Sequence, residues 1–372
     1  MPTLPPATIG DPVDRVDTPA LVLDMDAFER NLARMAESAR AAGLALRPHA
    51  KSHKCAEIAK RQIALDAVGV CCQKVSEAEA LVDAGVGDVL VTNEIIGAAK
   101  LDRLARLALR ANLGVLADDE GNVADIEAAA ARAGATLDVL VEVDVGSGRC
   151  GVPPGEAAVE LAQKIAASRH IRFRGIHAYH GAAQHLRSVQ ERHSAIAAAA
   201  HQAARTRELI EHAGIRCATV TGAGTGTFPL EAASGVYTEL QPGSYVFMDA
   251  DYRRNRYDAR WPGFEQSLFV LTGVMSRPTP HRAVVDAGLK ASSVDSGMPQ
   301  VLGRPGIEYV KASDEHGVLK IVRGTIPPAL GEKLLLIPGH CDPTVNLYDW
   351  MVCIRRDRVE ALWAITARGA LL

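Results

Sequence analysis

From residue 20 onward the chain alternates two patterns: short runs of consecutive apolar residues, and longer Ala-rich stretches in which apolar positions recur every three or four residues. The first pattern is that of strands buried on both faces, the second that of amphipathic helices. Strand-like runs occupy residues 20–24, 44–50, 67–73, 88–94, 113–118, 137–145, 173–180 and 218–224, eight in all. Between the first two, Phe28, Leu32, Met35 and Ala39 keep helical spacing, and Gly43 marks the stop. Eight strands with intervening helices over this length meet the requirement of an α/β fold closed as a (β/α)8 TIM-type barrel. A doubly wound open sheet has the same periodicity and remains the alternative. A further strand-like segment, GVYTELQPGSYVFMD, leaves the strand count open by one.

After Asp251 the rhythm changes to short extended runs, SLFVLTGVMS, RAVVDAG, KIVRG, KLLLIPG and MVCIRR, punctuated by Pro and Gly. The expected division is a barrel over residues 20–252 and a mostly β second domain made of residues 1–19 plus 253–372. With 41 Lys+Arg against 44 Asp+Glu, the net charge of -3 and the lack of long single-sign runs argue against nucleic acid or an anionic membrane as partner. There is neither a span-length apolar run nor a secretory leader, so the expected compartment is the cytoplasm. Seven cysteines without a CxxC pair point to free thiols rather than disulfides.

Polar residues with chemical potential follow the apolar part of several strands, and in a barrel all those ends share the catalytic rim. They are Arg47, His49 and Lys51; Asp144 and Arg149; Tyr179 and His180; and the stretch Gly222 to Thr227. The run TGAGTGTF offers a glycine-rich turn whose backbone N–H groups can approach an anion, and Pro242-Gly243-Ser244-Tyr245 could close the same cradle. Taken alone, such a turn is more often only a turn. Lys51 stands between two histidines with Arg47 and Lys54 nearby, a setting expected to lower its pKa and make it a nucleophile toward a carbonyl. The plainer reading is a solvated basic loop. Near the C-terminus, His340 and Asp342 alternate in PGHCDPTVNLYDW. On an extended segment both would face one divalent cation, with positions left over for water or substrate; the plainer reading is a turn with a capping Asp.

Taken together, TPALVLD, RPHAKSHK, GVCCQKVSEAEAL, VEVDVGSGRCGV, GIHAYHGAAQH, TGAGTGTF, YTELQPGSYVFMDADY, VVDAGLKASSVDSG and PGHCDPTVNLYDW resemble the D-threonine aldolase family, from about Asp17 to Gly369. That family belongs to the alanine-racemase-like, fold type III pyridoxal-phosphate enzymes. The resemblance implies that Lys51 is the Schiff-base lysine and that Arg149 meets the cofactor's phenolic oxygen. It also implies that Tyr179 lines the cofactor, that Gly224, Thr225 and Gly226 with Gly243, Ser244 and Tyr245 hold the phosphate, and that His340 and Asp342 are the metal pair. The sequence departs from the family at Ala223, where glycine is usual, which puts the local turn geometry in question.

The expected reaction is retro-aldol cleavage of a D-3-hydroxy amino acid, D-threonine giving glycine and acetaldehyde. A divalent ion, Mn2+ before Mg2+, Co2+ or Zn2+, would lower the pKa of the β-hydroxyl, and His185 is the candidate base, with His177 and His180 as rivals. A 3-hydroxy-D-aspartate aldolase would share these residues. A D-serine or 3-hydroxyaspartate dehydratase would carry Cys at the position of Asp342; a racemase needs no metal; a non-catalytic pyridoxal-phosphate carrier would end after the barrel. Relatives of this layout pair as homodimers with active sites at the interface, so a dimer is expected here too.

Overall fold

The computed structural model describes residues 4–372. Eight parallel strands form its first sheet: Ala45–Leu46, Val70–Cys72, Asp88–Glu94, Asn112–Ala117, Leu137–Glu142, Ile171–His177, Thr219–Gly222 and Glu239–Leu240. From Val70–Cys72 onward each strand pairs with the next, and the last pairs with Ala45–Leu46. A parallel bridge between His49 and Cys71, and a hydrogen bond from Cys71 N to Pro48 O at 2.8 Å, join the two remaining edges. The ring is therefore closed, and the open-sheet alternative falls away.

Alternation along the strands explains why both faces are apolar. Cys71, Leu90, Leu116 and Leu140 cluster inside the ring. Their neighbours Val70, Val89, Val115 and Val139 face outward, into a core shared with the surrounding helices. Those helices follow the sequence pattern closely; Glu120–Ala133, for example, begins at an Asp119 cap and stops at Gly134, which takes the left-handed conformation at φ +66°.

One expected strand sits elsewhere. Ala20–Asp24 pairs antiparallel with Leu268–Thr279 and parallel with Trp350–Arg355, in the second sheet. The ninth segment, at Glu239–Leu240, completes the ring in its place. Local pattern could not decide this, because ALVLD is buried on both faces in either setting and only its pairing partners distinguish them. The barrel's strands thus begin at Ala45 rather than at residue 20. Helix Met25–Ala41 bridges the two units, with Phe28, Leu32 and Met35 in a core that also holds Leu46 of the barrel and Leu268 and Met351 of the second sheet.

That second sheet has nine strands, including Arg282–Val285, Ile307–Ala312, Gly317–Ile321, Lys333–Ile337 and Arg358–Ala364. The described part of the N-terminal segment packs on it, Gly10 N donating to Val359 O at 2.8 Å and Val359 N to Asp11 O at 2.9 Å. All seven cysteines are free thiols.

Candidate active site

A cavity opens at the C-terminal ends of the barrel strands, where they meet the second domain. Lys51, Arg149, Tyr179, His185, His340 and Asp342 all line it, gathered from positions spread over nearly the whole chain. Lys51 sits in the short turn Ala50–Ser52 that follows the first barrel strand, its Nζ 3.9 Å from Asp342 Oδ2.

The electrostatic setting of Lys51 differs from the crowded positive field expected from its neighbours in sequence. Arg47 points to the other end of the barrel, where Nε lies 3.0 Å from Glu239 and Nη1 bonds Asp88; Lys54 is paired with buried Glu77. Burial pushes the pKa of both His49 and His53 down, so these rings are neutral. Burial also works to lower Lys51, but the Asp342 carboxylate and Tyr179 outweigh it and leave its pKa raised. Spacing along the chain could not reveal that each flanking cation has its own carboxylate.

The glycine-rich turn follows strand Thr219–Gly222. Thr225 is 3% exposed, and its Oγ1 has no hydrogen-bond partner among the described residues. A Cβ on Gly243 would fall 2.9 Å from the His49 carbonyl, and one on Gly224 2.4 Å from Oε1 of the buried Gln184, which would have to move. Ala223 adopts φ +71°, the left-handed region that costs an alanine about 1–2 kcal/mol. Two expected cradle residues are otherwise engaged. Gly226 N donates to Gln184 Oε1 at 2.9 Å, and the Tyr245 side chain is buried in the core with its hydroxyl accepting from Gln62 Nε2 at 3.1 Å. Ser244 does face the cavity, with Oγ 3.4 Å from Asp342 Oδ1.

His340 and Asp342 are brought together, though not on an extended segment. His340 precedes a one-turn helix, Cys341–Val345, in which Asp342 occupies the first turn and Cys341 is buried, its N–H donating to Asp249 Oδ2 at 3.0 Å. An acidic residue and a proline at a helix start explain the local choice. His340 Nδ1 lies 2.8 Å from Asp295 Oδ2, and among the described residues no hydrogen bond engages Nε2, the nitrogen that could hold a cation together with the Asp342 carboxylate.

The three histidine candidates have different surroundings. His185 ends the short helical segment Gly181–His185, with Nδ1 2.6 Å from Asp251 Oδ2. His177 is buried at the cavity floor between Glu142 and Gln241 Oε1, the latter 3.0 Å from Nε2. His180 does not line the cavity, and burial lowers its pKa. Asp144, also on the rim, accepts from the N–H groups of Gly146 and Gly148 at 3.0 Å and so shapes the loop that carries Arg149, whose Cζ lies 5.9 Å from the Tyr179 ring centre.

Sequence reasoning missed Gln73, Thr92, Gln241 and Tyr252 in the cavity wall, and the partners Asp251, Asp295 and Gln184 behind it. Gln73 and Thr92 obey the strand-end rule and could have been found by it; they form a triangle with His49, whose Nε2 lies 2.9 Å from Thr92 Oγ1 and 3.0 Å from Gln73 Nε2. The partners had no signal, because they are distant in sequence from the groups they orient.

Comparison with known proteins gives the arrangement its family. The model for the alanine racemase N-terminal domain matches residues 23–251, and that for a putative serine dehydratase domain matches residues 267–354. A D-threonine aldolase of an Arthrobacter species is 50% identical over 365 residues, 98% of this chain and 96% of that one. The chain belongs to the D-threonine aldolase family. A 3-hydroxy-D-aspartate aldolase of Paracoccus denitrificans (strain Pd 1222) is 48% identical over 371 residues, 98% of this chain and 95% of the relative. The crystal structure of D-threonine aldolase from Filomicrobium marinum superposes with a TM-score of 0.98 at 50% identity, covering all of both chains. D-threo-3-hydroxyaspartate dehydratase from Delftia superposes at 0.81 with 27% identity, over 95% of this chain and 98% of that one.

The family's enzymes are carbon–carbon lyases that use pyridoxal phosphate, and the residues present fit that cofactor. An amine stands at the rim, the buried hydroxyl of Thr225 has no partner among the described residues, and two glycines leave space where side chains would intrude. An oxygen- and nitrogen-bearing pair beside them suits a divalent ion.

Proposed function

We propose that this protein is a pyridoxal-phosphate- and divalent-metal-dependent aldolase that cleaves D-3-hydroxy amino acids, D-threonine to glycine and acetaldehyde. The observation that carries the reading is the meeting, in one cavity, of an amine, a histidine held by a carboxylate, and a His–Asp pair. Lys51 would tether the cofactor through its amine. Thr225 and Ser244, with the N–H groups of the two glycine turns, would hold the phosphate; Arg149 would face the phenolic oxygen and Tyr179 would line the ring. His340 Nε2 and the Asp342 carboxylate would hold the ion, with Mn2+ as the expected metal.

When bound, the cofactor supplies a sink for the electron pair released at Cα, and the ion supplies a Lewis acid at the substrate's β-oxygen. His185 lines the cavity with Nε2 unengaged by hydrogen bonds among the described residues, and takes the β-hydroxyl proton there. The Cα–Cβ bond then breaks, the aldehyde leaves, and Cα is reprotonated to give glycine. A hydroxyaspartate substrate is the second reading, favoured by the Paracoccus relative. Elimination is disfavoured by the metal pair. Solved variants of the hydroxyaspartate dehydratase replace a histidine and, two positions on, a cysteine, the latter in a metal-free form, whereas this chain has Asp342 two positions after His340.

No helix among the described residues is long and apolar enough to cross a membrane, and we place the enzyme in the cytoplasm as a homodimer. Exposed Met275, Met298, Val310 and Ile326 on the second domain are candidates for burial against a partner copy. The test of function is a panel of D-β-hydroxy amino acids assayed with EDTA and with single metals restored. Glycine with aldehyde, dependent on metal, is expected; ammonia with a keto acid would replace the aldolase by a dehydratase.

A further inference from the structure

His185 is half-exposed, with 49% of its side chain reached by solvent, and a histidine so open would ordinarily sample several rotamers. Here it is held. Its Nδ1 lies 2.6 Å from Asp251 Oδ2, while the Asp251 side chain itself is only 5% exposed and cannot follow a moving ring. The other carboxylate oxygen, Oδ1, is occupied by Arg187 Nη2 at 2.6 Å and by Arg254 Nη2, so among the described residues Oδ2 has His185 as its one hydrogen-bonding partner. Arg254 also donates to the Ser296 carbonyl, in the loop whose Asp295 bonds His340. The Tyr252 ring, 6.0 Å from the imidazole centre, covers one side.

We propose that Asp251 is a positioning residue for the retro-aldol reaction, fixing His185 in the Nδ1–H tautomer with Nε2 turned to the substrate's β-hydroxyl. The inference rests on the reading of His185 as the base. An ionised carboxylate can only accept, so the 2.6 Å contact requires the proton on Nδ1, and a neutral ring then presents its lone pair on Nε2. In the transfer the β-O–H bond breaks and an Nε2–H bond forms; the imidazolium so made lies against the Asp251 carboxylate. Arg187 and Arg254, the two cations bonded to Asp251, are committed to the same carboxylate, and Lys51, Arg149 and Asp342 line the cavity that His185 shares. Burial works to raise the Asp251 carboxyl, but hydrogen bonds from Arg187, Arg254 and His185 outweigh it and hold it at about 2, so the carboxylate keeps its charge through the working range.

The test is a double-mutant cycle on the metal- and cofactor-loaded enzyme with D-threonine. Asp251→Asn is expected to lower kcat about 10²-fold, the scale of a general base's contribution, with KM little changed. In a His185→Ala background the same substitution should cost nothing further, because Asp251 acts only through the imidazole. Equal losses in both backgrounds would overturn the inference and leave His185 as base. An undiminished kcat in His185→Ala alone would overturn the base reading, and the inference with it. Should Asp251→Asn not fold, nitrogen-15 shifts of the imidazole in the unmutated protein, identified by comparison with His185→Gln, decide the matter. The Nδ1–H tautomer is expected, and the Nε2–H tautomer would contradict it.

Discussion

Glu231 lies just after the glycine-rich turn, 1% exposed, in the short helix Phe228–Ala233. Its Oε1 accepts from Thr227 Oγ1 at 2.7 Å; Thr227 in turn accepts from Gln184 Nε2 at 2.7 Å, and Gln184 accepts from Gly226 N. Burial pushes the Glu231 carboxyl up, against the hydrogen bond from Thr227, to about 7 from an ordinary 4.5. A carboxyl raised in the folded state binds more protons there than in the unfolded chain, so stability falls as pH rises from the unfolded value to the folded one. Each pH unit in that window costs about 1.4 kcal/mol, which makes the whole penalty about 3 kcal/mol above pH 7. Glu231→Gln keeps an acceptor for Thr227 and removes the titration. For a chain of this length, about 0.8 kcal/mol per degree converts the relief into a Tm gain of about 4 °C. The assay is calorimetry of both proteins from pH 5 to pH 8.5. The variant should match the parent near pH 5 and exceed it progressively to pH 8; a difference independent of pH would refute the reasoning.

Lys54→Met leaves Glu77 charged and buried, and Glu77 Oε2 also receives Gln73 N at 2.8 Å; a loss of about 3–5 kcal/mol is expected by urea unfolding, with most of it recovered in Lys54→Met/Glu77→Gln. Failure of the double variant to recover would show that packing, not charge, sets the cost. Gly224→Ala should drive Gln184 from its place and weaken pyridoxal-phosphate binding by about five- to thirtyfold, on the loss of one or two hydrogen bonds worth about 1 kcal/mol each, measured by fluorescence titration; unchanged affinity would mean that the turn does not carry the phosphate.

How much of this was legible in the sequence varied with the distance over which the cause acts. Helices were readable because their periodicity and stop signals are local, as at Gly43, which follows helix Met25–Ala41 at φ +68°. Barrel strands were readable as strands, yet ALVLD was misplaced because its burial is the same in both sheets. The positions of Lys51, Arg149, Tyr179 and the glycine turns followed from the rule that strand ends share a face, and the structure gathers Lys51, Arg149, Tyr179, Gly224, Thr225, Gly243 and Ser244 in one cavity. The electrostatics were not legible. Arg47 and Lys54 look like neighbours of Lys51 until Glu239, Asp88 and Glu77 arrive from elsewhere in the chain. The same holds for Asp251, whose partnership with His185 spans 66 residues.

The central claim is that the amine at the barrel rim holds the cofactor. Borohydride reduction of the protein reconstituted with pyridoxal phosphate, followed by peptide mapping, tests it directly. The account predicts the phosphopyridoxyl group on the peptide that contains Lys51 and its disappearance in Lys51→Ala; a label on Lys54 or another lysine, or one that survives the substitution, would contradict it.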